Sequence, residues 1–169
     1  PSNATGRTEV LVTGLPDAIL RETRRRLLDA LEECGLRVPQ GRLLLHLVPA
    51  ARPKRGDSLD LPLALAAAAA CGHLDPKGLE DVLWLGEVGI DGELYAVPGG
   101  LAAAIAAAEA GIGEVIAPRA MAMEAACTER VTARAAERLR DAVAHVAGRE
   151  LPLLKVDEAP ESKTMSSAG

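Results

Sequence analysis

Phenylalanine is absent from this 169-residue chain, and Trp84 and Tyr95 are its whole aromatic content. That scarcity removes the aromatic platforms on which single-stranded nucleic-acid binders stack bases. It also obliges the core to be built from Ala, Leu, Val and Ile. Cysteine is sparse: Cys34, Cys71 and Cys127 are widely spaced, odd in number and form no CxxC. A disulfide framework is therefore excluded, and buried thiols in a reducing compartment, the cytoplasm, are expected. An excess of positive charge is lacking, since the net charge is -5; a generally basic nucleic-acid binder is ruled out, although a local basic patch is not. No apolar run is long enough to span a bilayer, because the stretch Leu59–Cys71 is short and carries Asp60 and Pro62. No membrane partner is expected. Nor is there a GxxxxGK[ST] phosphate loop, so the chain offers no such route to ATP hydrolysis.

What is abundant is alanine, with 32 residues. Apolar residues make up 49% and charged residues 25%, a balance that fits one soluble globular domain with a real core. Residues 1–7 are set aside: Ser2-Asn3-Ala4 looks like the remnant of a cleaved tag. Residues 8–150 read as the single domain. Residues 151–169, ending in APESKTMSSAG, read as a tail or linker.

Within the domain, Glu9–Thr13 is a short strand and Asp17 caps a helix running to about Cys34, with an apolar stripe of Leu20, Leu27, Leu28 and Leu31. Arg42–Val48 is a nearly continuous apolar run, as in a strand covered on both faces. The loop ARPKRGDS leads to an alanine-rich helix, Leu59–Cys71, stopped by Gly72, with Pro62 tolerated in its first turn. Val82–Pro98 reads as a hairpin turning at Asp91-Gly92. A second alanine-rich helix, Gly99–Ala110, a strand, Gly113–Ala117, and helices over Arg119–Cys127 and Arg134–Ala147 complete the pattern. Strands and helices alternate, but a hairpin is antiparallel. The expectation is an α+β (mixed α/β) fold of two layers, a mixed sheet with helices mainly on one face.

The histidines share no ligand-like spacing, so no metal site is expected. Two segments carry candidate chemistry. The first helix presents Arg21, Arg24, Arg25 and Arg26, interleaved with Glu22 and Asp29; a solvated face and a phosphate-contacting face are both readings of it. In the loop Pro53–Leu65, Lys54, Arg55, Ser58 and Asp60 precede an apolar helix. Ser58 at a helix start is where a nucleophile can sit, and it or Asp60 can equally be a helix cap.

Four segments in order, GLPDAILRETRRRLLDAL, LHLVPAARPKRGDSLDLPLALAAAAACG, LGEVGIDGELYAVPGGLAAAIAAAEAG and EVIAPRAMAMEA, resemble the Mg-chelatase-related family of ComM or YifB type. Its usual phrases are similar to GLPDAAVRES, PKEGxxFDLPIAL and GELxLDGxLRPVxG. In that family the matching domain lies at the amino terminus, ahead of an AAA+ ATPase. It is similar to the protease domain of Lon and to the carboxy-terminal domain of the RadA repair protein. The resemblance implies a ribosomal-protein-five second-domain-like fold, self-association through a ring of the parent protein, and ATP and magnesium only where an AAA+ module is present. ComM-type relatives are linked to branch migration of DNA, which implies DNA or a protein as partner. The family usually carries a further strand region ahead of the GLPD segment, so a sheet edge open to pairing by a neighbour is expected.

Lon uses a Ser-Lys dyad in which a desolvated, neutral Lys takes the Ser proton. By the resemblance, Ser58 falls at the nucleophile position, and the lysine should follow Gly99-Gly100. No Lys, Arg or His lies between Gly99 and Gly111; the only lysines are Lys54, Lys77, Lys155 and Lys163. Ser58, with Lys54 and Asp60 nearby, is thus a degenerate Lon-type position with no catalytic residue expected. The reading is a non-catalytic interaction and assembly domain, with Arg21, Arg24, Arg25, Lys54 and Arg55 as its DNA- or partner-binding candidates. The alternatives are a Lon-type serine peptidase with Ser58 as nucleophile, or a phosphate-binding module using PKRGDS.

Overall fold

A computed structural model describes residues 8–14, 17–48 and 57–155. Strand β1 (Glu9–Thr13) and strand β2 (Arg42–His46) pair in parallel, Glu9 opposite Arg42 and Thr13 opposite His46. Helix α1 (Asp17–Glu33) links them and buries Leu27, Ala30 and Leu31. It ends because Gly35 adopts a positive φ, letting the Leu36 N–H reach back 2.8 Å to the Leu31 carbonyl. The Asp17 side chain, expected as its cap, lies outside the described part.

A single 3-10 turn, Asp57–Leu59, opens directly into helix α2 (Asp60–Ala70). Leu61, Leu63, Ala64, Leu65, Ala67 and Ala68 are all buried, so α2 is apolar nearly all round and lies in the core.

Strands β3 (Val82–Trp84), β6 (Glu114–Ala117) and β7 (Thr132–Ala135) form a parallel sheet in the order β3-β6-β7. Strands β4 (Glu87–Val88) and β5 (Leu94–Tyr95) make the antiparallel hairpin around Asp91-Gly92. Helices α3 (Gly100–Glu109), α4 (Arg119–Ala126) and α5 (Leu139–Val146) complete the described elements. The hairpin is stitched to the end of β7, since Leu94 N–H donates to the Glu137 carbonyl at 2.9 Å and Leu139 N–H to the Gly92 carbonyl at 2.8 Å.

The fold is mixed α+β, as the pattern indicates, and its described strands fall into three small groups. Around β1–β2 the helical layer is one-sided: Val10, Val12 and Leu45 are buried with α1 and α2, while Leu44 stays exposed. A β2 covered on both faces is thereby corrected. The parallel sheet is covered on both sides. Val115, Ala117, Ala133 and Ala135 pack with Ala104, Ala107, Met121 and Ala125 of α3 and α4. Trp84, Ile116 and Ala136 join α2 and α5 on the other.

Two expected elements change. Val82–Trp84 leaves the hairpin to pair with β6, because Gly86, at a φ of +142°, breaks the run before β4. Thr132–Ala135, half of it read as helix, is a strand: its pairing with β6 and its buried Ala133 and Ala135 outweigh local helix preference. Beyond α5, Leu151 and Leu154 are buried, and Leu154 N–H donates to the Ala133 carbonyl at 2.9 Å, so residues 151–155 run against β7.

Candidate functional site around Ser58

The turn that carries Ser58 is fixed by its backbone. Gly86 N–H donates to the Ser58 carbonyl and Leu61 N–H donates to the Gly86 carbonyl, both at 3.1 Å. Ser58 therefore sits at the carboxyl end of β3, half-buried. A Cβ at Gly86 would stand 2.9 Å from Pro118 Cδ, so only glycine allows the chains after β3 and β6 to approach this closely.

Asp60, two residues on, is completely buried. Its Oδ2 lies 3.1 Å from Arg26 Nη2 and accepts the Val88 N–H at 3.1 Å. Arg26 is also 3.5 Å from Glu22 and 3.7 Å from Glu87. One guanidinium thus gathers three carboxylates from α1, α2 and β4, compensating the burial of the Asp60 charge. Asp60 is a tie between elements, placed in the first turn of α2 after Leu59 as its N-cap residue. A lone carboxylate inside DLPLALAAAAA was the sequence signal that a partner was required, but nothing in the sequence pointed to Arg26.

The arginine face of α1 is therefore divided. Arg26 turns inward, its side chain only 16% exposed. Arg21 and Arg25 are exposed, Arg25 lying 3.9 Å from Asp29, and Arg24 is half-buried. Lys54 and Arg55 lie outside the described residues.

The segment after Gly99 forms α3, and its only charged residue is Glu109. Its amino terminus is held by α4, because Leu101 N–H donates to Glu124 Oε2 at 3.1 Å. This is a tertiary cap with the sign the helix dipole favours. Gly100 permits the contact, as a Cβ there would stand 2.9 Å from the Met121 carbonyl oxygen.

Burial pushes Cys34 and Cys71 above the ordinary thiol range. Cys34 and Cys71 are half-buried and Cys127 is exposed, which corrects the expectation of buried thiols. No described helix is long and apolar enough to cross a membrane. Among the described residues no group of three or more His, Cys, Asp or Glu gathers to hold a metal ion.

The family model for the ChlI subunit of Mg-chelatase matches residues 2–121. An uncharacterized protein of Mycobacterium tuberculosis is 38% identical over 125 residues, 74% of this chain and 25% of its own length. YifB of Escherichia coli is 34% identical over 100 residues, 59% of this chain and 20% of its own. The competence protein ComM of Haemophilus influenzae is 32% identical over 149 residues, 88% of this chain and 29% of its own. The chain thus spans between a fifth and a third of the length of these relatives. With a family match over most of its length and ComM and YifB among its relatives, the chain belongs to the Mg-chelatase ChlI-subunit family, in its ComM/YifB-type branch.

Proposed function

We propose that this chain is a non-catalytic Lon-like interaction and assembly domain of a ComM-type AAA+ protein. One observation carries the reading: α3, which follows the Gly99-Gly100 pair, has no basic side chain from end to end. A Lon-type dyad needs a lysine at that place to take the serine proton. The nearby Asp60 carboxylate is engaged by Arg26 and the Val88 amide. The domain lacks the lysine and hydroxyl of a phosphate loop, so ATP and magnesium do not fit this chain. In the proposed parent protein they belong to the AAA+ module.

Reaction with a fluorophosphonate serine probe, followed by intact mass, tests the reading. No adduct is expected on the folded protein. A single adduct on Ser58 that disappears in Ser58→Ala would restore the peptidase alternative.

DNA is the partner we assign to the arginine face, because Arg21 and Arg25 are exposed on α1 and one relative is named a competence protein. Charge reversal at Arg24, Arg25 and Lys54 together should weaken duplex binding at low salt by roughly tenfold or more, as loss of several phosphate contacts requires. Anisotropy titrations unchanged by the reversal would remove DNA from this face.

A further inference from the structure

Among the described residues, the outer edge of β2 is open. Glu9 N–H donates to the Gly41 carbonyl and Leu47 N–H to the Thr13 carbonyl. With the parallel register, these bonds direct the backbone groups of Leu43 and Leu45 toward β1. Those of Arg42, Leu44 and His46 consequently face outward, and no described strand pairs with them. All three residues are exposed, Leu44 at 61%, and Val48 just beyond at 71%. An edge strand carrying unpaired amides and exposed leucine is a template for another strand.

Strand β1 already shows which side chains satisfy this sequence. On the shared face Glu9 Oε2 lies 3.0 Å from Arg42 Nε, Leu11 stands opposite Leu44, and Thr13 Oγ1 bonds His46 Nδ1 at 2.5 Å. We propose that the free edge of β2 takes up an extended segment of a protein partner by strand addition. That segment carries a carboxylate opposite Arg42, an apolar residue opposite Leu44 and an acceptor opposite His46. Cross-strand pairs of this kind select the partner, and the main-chain bonds hold it.

A second copy of the chain fits poorly. Two-fold antiparallel pairing about Leu44 would set Arg42 against His46 of the other copy, two basic groups. Use of a copy's β1 would require the outward groups of Val10 and Val12, which are 2% and 3% exposed. This inference concerns a different surface from Ser58 and the arginine face, and it stands whether or not Ser58 has a base.

The test is a titration of the labelled protein with the peptide acetyl-SEVLVES-amide, followed by amide NMR shifts and hydrogen exchange. The amides of Arg42, Leu44 and His46 should shift and gain protection, while those of Leu43 and Leu45, already bonded to β1, change little. Acetyl-SKVLVKS-amide should bind at least tenfold more weakly, as should the acidic peptide to Arg42→Glu. Leu44→Pro, which removes an outward N–H, should abolish the shifts, and Leu44→Lys should weaken them in a chain with no new backbone constraint. The proposal fails if millimolar acidic peptide leaves these amides unmoved, if both peptides bind equally, or if sedimentation without peptide shows self-association through β2.

Discussion

Helices α2 and α3 are nearly the same sequence in composition, DLPLALAAAAA and GLAAAIAAAE, yet they occupy opposite environments. Six apolar residues of α2 are buried, whereas Gly100, Ala104 and Ala107 alone are buried in α3. Leucine accounts for part of the difference: Leu61, Leu63 and Leu65 in α2 reach into surrounding elements that alanines cannot fill. The ends account for more. The start of α2 is tied by the buried Asp60 to Arg26 and Val88, which draws α1 and β4 around it. The start of α3 is tied by Glu124 to α4 alone, leaving Leu101 and Ile105 exposed on its outer side. Two alanine-rich helices thus differ in depth through their leucines and through one carboxylate each and what that carboxylate binds.

The comparison is broken most severely at Asp60. Replacing it with Asn leaves Arg26 without its buried counter-charge and should cost about 3–5 kcal/mol, read as a large fall in the denaturation midpoint. Next comes packing. Leu65→Ala in α2 should cost about 2–5 kcal/mol, whereas Ile105→Ala in α3, where the side chain is 38% exposed, should stay within roughly 1 kcal/mol. Equal losses at the two sites would show that α3 is as deeply packed as α2. At the α3–α4 contact, Gly100→Ala must push the Met121 backbone away and should cost about 1–3 kcal/mol, measured by urea unfolding.

The smallest effect sharpens the contrast through the thiols. Desolvation raises Cys34, near the end of α1, and Cys71, which caps α2. A raised pKa keeps the thiol protonated to higher pH, so less thiolate is present at pH 8 and alkylation is slowed. Exposed Cys127, after α4, should therefore be alkylated by iodoacetamide before either of them, followed by mass spectrometry over time. Faster labelling of Cys71 would indicate that the end of α2 opens readily.

Most elements were legible because their signals are local. Glu9–Thr13 is a strand with the expected bounds, and α1, α2 and α3 begin and end within a residue or so of their glycine and proline punctuation. The misread stretches were those decided by a distant partner. Thr132–Ala135 has no strong alternation of its own, but pairing with β6 and the Arg134–Glu114 contact at 2.6 Å make it a strand. Val82–Trp84 sits next to a turn signal but is recruited by β6. At the candidate site, Ser58 and its neighbours could be named from the loop that carries them. The inward turn of Arg26 could not, because four arginines in six residues look alike until one of them meets a buried carboxylate.

By itself the sequence determined the class of protein, the ends of α1, α2 and α3 and the lack of a base on α3, since composition, glycine punctuation and the presence or absence of a lysine are properties of the chain. Tertiary structure decided which alanine-rich helix is buried, which arginine is withdrawn from the surface and which edge of β2 no described strand pairs with. Each of these depends on pairing between residues far apart in sequence, and a charge or an amide becomes costly or available only once its surroundings have been assembled.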